Sequence, residues 1–188
     1  MRLFVAILCS EQVKAQLLGE IDRLRRAAER GRFTRRENLH MTLAFLGEVP
    51  PTKVPKIREA MEKTGAQSGA LTLKFTELGR FKGRSGDLVY MGTVGGRALT
   101  ELQKRLSDAL KAAGFTLEDR AFRPHITLGR EVRLNPGEKI NREAAPFSWD
   151  VAAISLMRSE RIGGKITYTE MYRKELSGGT DTGGHSGN

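Results

Sequence analysis

Asn38-Leu39-His40-Met41-Thr42-Leu43 and Arg123-Pro124-His125-Ile126-Thr127-Leu128 place one His-x-Thr-Leu signature in each half of a 188-residue chain. They use two of its three histidines, and the third, His185, lies in a Gly/Ser-rich tail. In a β-strand, residues i and i+2 share a face. Each segment can therefore present an imidazole beside a hydroxyl while the intervening apolar residues enter a core.

Working outward from the first segment, Met41, Leu43 and Phe45 alternate with His40, Thr42 and Ala44. This predicts a strand with one core face and one cleft face, ended by Gly47 and Pro50-Pro51. Upstream, Leu3 to Cys9 reads as a buried strand. Ser10 then offers an N-cap to a helix striped by Val13, Leu17, Ile21, Leu24 and Ala28, which Gly31 should stop near Arg30. Downstream, Val54, Ile57 and Met61 mark a second helix closed by Gly65. Leu71 to Phe75 and Leu88 to Gly92 suggest strands. A third helix carries Leu102, Leu106 and Leu110 and stops at Gly114. The His125 strand follows, then one strand from Trp149 to Met157 and one from Ile166 to Tyr172. Gly163-Gly164-Lys165 lacks the flanking residues of a phosphate-binding P-loop and reads as a hairpin turn.

The order of elements argues for an α+β fold, with strand, helix and histidine strand repeated in both halves as two related lobes. Residues 1–176 are expected to form a single domain, and residues 177–188, poor in large apolar side chains, a disordered tail. Residues 31–38 and 79–87 are the expected loops of the cleft rim.

The chain carries 32 Lys and Arg against 22 Asp and Glu, a formal charge of +10. Such an excess favours an anionic partner, and seven arginines between Arg23 and Arg36 concentrate it before the first motif. The apolar run at the N-terminus is too short for a signal core or a membrane span. A single cysteine, Cys9, excludes an intramolecular disulfide framework and fits a reducing compartment. These features lead to the expectation of a cytoplasmic protein without membrane attachment or an obligate protein partner.

Imidazoles titrate near neutral pH, so two of them can share one reaction in opposite protonation states. One takes a proton from water or a hydroxyl, and the other gives one to a departing oxygen. Thr42 and Thr127 can donate to non-bridging phosphate oxygens, and the division of labour needs no metal or cofactor. The absence of His-x-x-x-His and Cys-x-x-Cys patterns from the sequence argues against a zinc site. Arg123 and Arg130 bracket the second motif and can grip phosphate. Strict alternation, however, puts Arg130 on the face opposite His125 unless the strand bulges. Phe33 and Phe122 are candidate platforms for a base, with core packing as the alternative for each.

With these motifs in place, the chain resembles the two-histidine (2H) phosphoesterase superfamily, most specifically its LigT-like RNA 2′,3′-cyclic phosphodiesterases, also called 2′-5′ RNA ligases. The resemblance rests on Arg2 to Ile7, Asn38 to Gly47, Arg123 to Arg130, Leu156 to Ser159, Gly163-Gly164 and Tyr168. It implies a bilobal fold with two antiparallel sheets flanking a central cleft and helices on the outer faces. It further implies metal-independent opening of a terminal 2′,3′-cyclic phosphate to a 2′-phosphate, with reverse 2′-5′ joining of tRNA halves. By the same resemblance His40 is the proton donor and His125 the acceptor, Arg130 contacts the terminal phosphate, and Phe33 falls where relatives carry an aromatic. The substrate alternatives are small cyclic nucleotides or 2′-5′ oligoadenylates, and the non-enzymatic alternative is a basic RNA-binding protein.

Overall fold

Ser10 begins the first helix as expected, its hydroxyl accepting the Val13 N–H at 3.4 Å. The computed structural model describes residues 1–140 and 142–178. Its strands are β1 (Arg2–Leu8), β2 (Ala28–Phe33), β3 (His40–Glu48), β4 (Leu71–Phe81), β5 (Asp87–Val94), β6 (His125–Leu134), β7 (Arg142–Glu143), β8 (Ser148–Val151), β9 (Ala153–Ile162) and β10 (Lys165–Glu175). The helices are α1 (Glu11–Ala27), α2 (Val54–Ala66) and α3 (Gly96–Ala112).

All the strand pairings are antiparallel, and they form two sheets that are continuous with each other at one seam. One runs β10-β9-β1-β3. The other runs β6-β5-β4, with β7 and β8 on the outer edge of β4 and β2 beside β6. The histidine strands β3 and β6 meet through a single registered pair, Met41 with Ile126. That narrow join lets the sheets diverge into two lobes, with one motif on each side of the cleft. The expected α+β architecture is borne out.

The helices bury the stripes that the sequence marked. Val13, Leu17, Ile21 and Leu24 of α1 are buried, as are Leu102, Leu106 and Leu110 of α3, joined there by Leu99, which lay outside the expected stripe. Each such leucine contributes about 2 kcal/mol by leaving water. The helices cross over between lobes: α1 packs on β2 and β6, whereas α3 packs on β3 and on α2. β1 buries both its faces. Leu3, Val5 and Ile7 enter the main core, while Phe4 and Ala6 join Met157, Leu8 and Tyr168 in a second cluster.

Four local expectations are corrected. Helix α1 ends at Ala27, before Gly31, because the backbone N–H of Asn135 takes the Ala27 carbonyl at 2.9 Å and residues 28–33 then pair with β6. The expected rim loop over 79–87 is shorter, since β4 runs on to Phe81 and pairs with β5 as far as Leu88. The single strand expected from Trp149 to Met157 is two: β8 joins β4 in one lobe and β9 joins β1 in the other. Phe45 is 48% exposed and not in the core, because Leu43 and Ala44 are buried in succession and reset the alternation.

The Gly163-Gly164 hairpin is as expected. Both residues have positive φ, 55° and 78°, as a two-residue turn with left-handed central positions requires. Ser177 and Gly178, the first residues of the expected tail, are tied by N–H donation to the carbonyls of Gly65 and Ser68, both at 3.0 Å. Residues 179–188, including His185, lie outside the described residues.

Candidate active site

His40 begins β3, and its Nδ1 lies 2.7 Å from the Asn38 carbonyl oxygen. His125 begins β6 in the same way, its Nδ1 2.7 Å from the Arg123 carbonyl oxygen. A carbonyl can only accept, so both Nδ1 atoms carry the proton. Each Nε2 is thereby left for other partners. The Nε2 of His40 lies 3.0 Å from Thr42 Oγ1, its same-face neighbour two residues on. Thr127 holds the matching place beside His125, and its carbonyl accepts the Thr34 hydroxyl at 2.8 Å.

Each imidazole is wedged between two aromatic rings. His40 has Phe4 at 4.9 Å and Tyr168 at 5.1 Å between centroids, with Tyr168 edge-on at 89°. His125 has Tyr90 at 5.4 Å and Phe81 at 5.5 Å. These contacts fix ring orientation and remove water from one side of each histidine. Tyr168 and Tyr90 fell on strands the sequence predicted, but the role of Phe4 and Phe81 was missed. The available signal was period two: Phe4 sits on the β1 face opposite Leu3 and Val5, and only its apolarity was read.

Burial pushes the His40 pKa below its ordinary value, and the charges of Arg130 and His125 push the same way. The Asn38 hydrogen bond opposes them. Burial also lowers the His125 pKa, again with Arg130 adding to the shift and the Arg123 carbonyl opposing it. One guanidinium thus acts on both imidazoles.

Arg130 reaches the cleft because β6 bulges. Leu128 and Gly129 are both buried, and the register with β5 passes from Thr127–Tyr90 to Gly129–Val89, skipping Leu128. The extra residue returns Arg130 to the face of His125 and Thr127. The alternation argument, which placed it opposite His125, is corrected by that bulge.

A cavity of about 280 Å³ brings together His40, Thr127, Arg130 and Phe33, with Arg32 and Tyr168 also in its wall. Phe33 also packs on the core and carries the Arg25 guanidinium 5.1 Å from its ring centre. His125, Thr42, Arg123 and Phe122 do not line this cavity. Arg123 offers its carbonyl to His125 and its guanidinium to the Phe81 ring, at 6.0 Å, while Phe122 packs partly buried against the core. Cys9 is buried, and burial pushes its thiol up to about 12, far from a nucleophile's range. Among the described residues, no group of three His, Cys, Asp or Glu side chains is arranged to hold a metal. No helix among them is long and apolar enough to cross a membrane.

Residues 13–163 match the family described as the 2′-5′ RNA ligase superfamily. The chain is 36% identical over 128 residues to an RNA 2′,3′-cyclic phosphodiesterase of Geobacillus stearothermophilus, a match covering 65% of this chain and 41% of that protein's length. It is 35% identical over 133 residues to the RNA 2′,3′-cyclic phosphodiesterase of Thermotoga maritima, covering 69% of this chain and 70% of the relative. Among solved structures, Escherichia coli LigT complexed with 3′-AMP superposes with a TM-score of 0.76 at 27% identity, covering 94% of this chain and 97% of that one.

Proposed function

This chain belongs to the LigT-like RNA 2′,3′-cyclic phosphodiesterase family of the 2′-5′ RNA ligase superfamily, and from that premise we propose that it hydrolyses the 2′,3′-cyclic phosphate at the end of an RNA to a 2′-phosphomonoester. The observation that carries this reading is the matched anchoring of two histidines by Nδ1, with Arg130 acting on both.

In the proposed reaction, His125 Nε2 accepts a proton from water as the water oxygen forms its bond to phosphorus. The P–O3′ bond breaks, and His40 Nε2–H gives its proton to O3′. The products are a free 3′-hydroxyl and a 2′-phosphate, and solvent exchange restores both imidazoles. Arg130 offsets the negative charge that grows on the non-bridging oxygens. Thr42 Oγ1 lies 3.0 Å from His40 Nε2, and the hydroxyls of Thr42 and Thr127 donate to the non-bridging phosphate oxygens. In 2′-5′ joining the 5′-hydroxyl of a second RNA takes the place of water: its oxygen bonds to phosphorus as His125 accepts its proton, the P–O3′ bond breaks and His40 protonates O3′, so each histidine keeps its role.

The test is conversion of an oligonucleotide with a 2′,3′-cyclic phosphate end in EDTA, with the product identified by mass and by its resistance to enzymes specific for 3′-phosphate. A 2′-phosphomonoester is expected. A 3′-phosphate product, or no turnover by folded protein across several RNA lengths, would refute the assignment.

A further inference from the structure

A second groove of about 550 Å³ opens beside the catalytic cavity, walled by Arg30, Arg32, Arg84, Ser85, Glu131 and Arg133. Arg32 lines both spaces and stands between them. The register of β2 on β6 is unusual in this region: Arg32 stands opposite Arg130, and Arg30 opposite Arg133. Like charges directly opposite on neighbouring strands repel and destabilise the pair. Glu131 offsets the first rung through its contact with Arg32, whereas the second rung, Arg30 with Arg133, has no such carboxylate among the described residues, and an anion lying across it would remove the repulsion. The first rung holds Arg130, already placed at the reacting phosphate. The second lies two residues further along β2, about 7 Å away at the usual strand rise, a spacing comparable to that of neighbouring phosphates in an extended strand.

The third side of the groove is the turn between β4 and β5. It is seated on β6 by Gly86, whose φ is 127° and where a Cβ would come 2.6 Å from the Glu131 carbonyl carbon. This close approach holds Arg84 and Ser85 over the arginine rungs, and the Ser85 carbonyl accepts a hydrogen bond from Arg30 at 3.4 Å. The one carboxylate in the wall, Glu131, pairs with Arg32 at 2.6 Å. Among the described residues, Arg30, Arg84 and Arg133 have no carboxylate within ion-pair distance.

We propose that this groove binds the phosphodiester backbone of single-stranded RNA on the 5′ side of the reacting terminus, so that Arg30, Arg84 and Arg133 select an oligonucleotide over a cyclic mononucleotide. The proposal rests on the function given above and adds its substrate class. A cyclic mononucleotide carries one phosphate and can occupy only the first rung. An oligonucleotide places its next phosphates at the second rung and beneath Arg84. No base-edge reader is needed, so the groove adds affinity for length without sequence preference.

The test compares the wild type with the double variant Arg84→Gln and Arg133→Gln in three assays. These are binding of a fluorescent hexanucleotide with an unreactive 3′-hydroxyl, turnover of the cyclic-phosphate-ended hexanucleotide, and turnover of a cyclic mononucleotide. The double variant is expected to bind the hexanucleotide about tenfold or more weakly, and the slope of log affinity against log salt should flatten by about 1.4 for two lost contacts. KM for the reactive hexanucleotide should rise in step, with kcat/KM for the mononucleotide and thermal stability not reduced. Unchanged hexanucleotide binding overturns the proposal, and leaves the groove to some other acidic partner. An equal fall in mononucleotide turnover also overturns it, since that would trace the effect to the cleft. If the wild type turns over neither substrate but its hexanucleotide binding still depends on Arg84 and Arg133, the catalytic reading fails and the groove stands.

Discussion

Phe45 and Arg130 occupy equivalent places in the two lobes. Each follows its histidine by five positions, after a bulge in which two consecutive residues, Leu43-Ala44 or Leu128-Gly129, are both buried. In each case the register with the neighbouring strand skips the leucine, Leu43 against β1 and Leu128 against β5. The backbone thus offers the cleft the same position twice. One lobe fills it with an apolar ring 6.0 Å from Phe4, which itself packs on His40, and the other with a guanidinium. This asymmetry distinguishes the two sides of an otherwise matched pair.

Arg130→Gln is therefore expected to lower kcat by about 10²-fold, the usual effect of losing one strong donor to a developing oxyanion. Phe45→Leu, which keeps an apolar side chain against Phe4, should leave kcat within a few-fold. Steady-state kinetics on a cyclic-phosphate-ended RNA checks both. An Arg130→Gln enzyme as fast as wild type would remove the guanidinium from the account.

The same substitution should move both histidine titrations upward, because the Arg130 charge disfavours each imidazolium. Proton-detected NMR titration of the two ring signals gives the answer directly. If only one of them moves, the arginine is not shared.

Both lowered pKa values place the kcat/KM optimum on the acid side of the ordinary histidine value of 6.5, since free enzyme needs one imidazole charged and one neutral. A bound anionic phosphate favours the charged His40, so the kcat profile should extend to higher pH than that of kcat/KM. Coincident profiles would contradict this electrostatic coupling.

The linkage to stability has a definite sign. Between the lowered folded-state values and 6.5, the unfolded chain binds more protons than the folded one, so stability is greatest above 6.5 and declines as pH falls through that window. Replacing His40 and His125 together by Asn should flatten the decline in thermal melting temperature below pH 6.5. An unaltered pH dependence would show that other groups control it.

Much of the site was legible because it is local. His40 with Thr42, and His125 with Thr127, follow from the two-residue period of a strand, and the carbonyl that holds each Nδ1 lies only two residues upstream. What could not be read depends on partners distant in sequence. Asn135 ends α1 at Ala27 and releases residues 28–33 to pair with β6, and the Arg30–Arg133 and Arg32–Arg130 rungs exist only through that pairing. The bulges at Leu43 and Leu128 are likewise set by the strands alongside, and they moved Phe45 and Arg130 to faces that strict alternation denied them. The break between β8 and β9 shows only as a change of pattern, from alternate buried residues in β8 to five buried in succession at the start of β9, and that change does not say which lobe receives each strand.

The division of labour between the histidines is tested most directly by a cyclic substrate whose 3′ bridging oxygen is replaced by sulfur, a leaving group that needs no proton. His40→Ala and His125→Ala should each lose about 10²-fold or more in kcat on the oxygen substrate. On the sulfur substrate, His40→Ala should return to near wild-type turnover while His125→Ala stays impaired for want of a base. Rescue of His125→Ala in place of His40→Ala would reverse the assignment, and undiminished activity of either variant on the oxygen substrate would contradict the two-histidine mechanism itself.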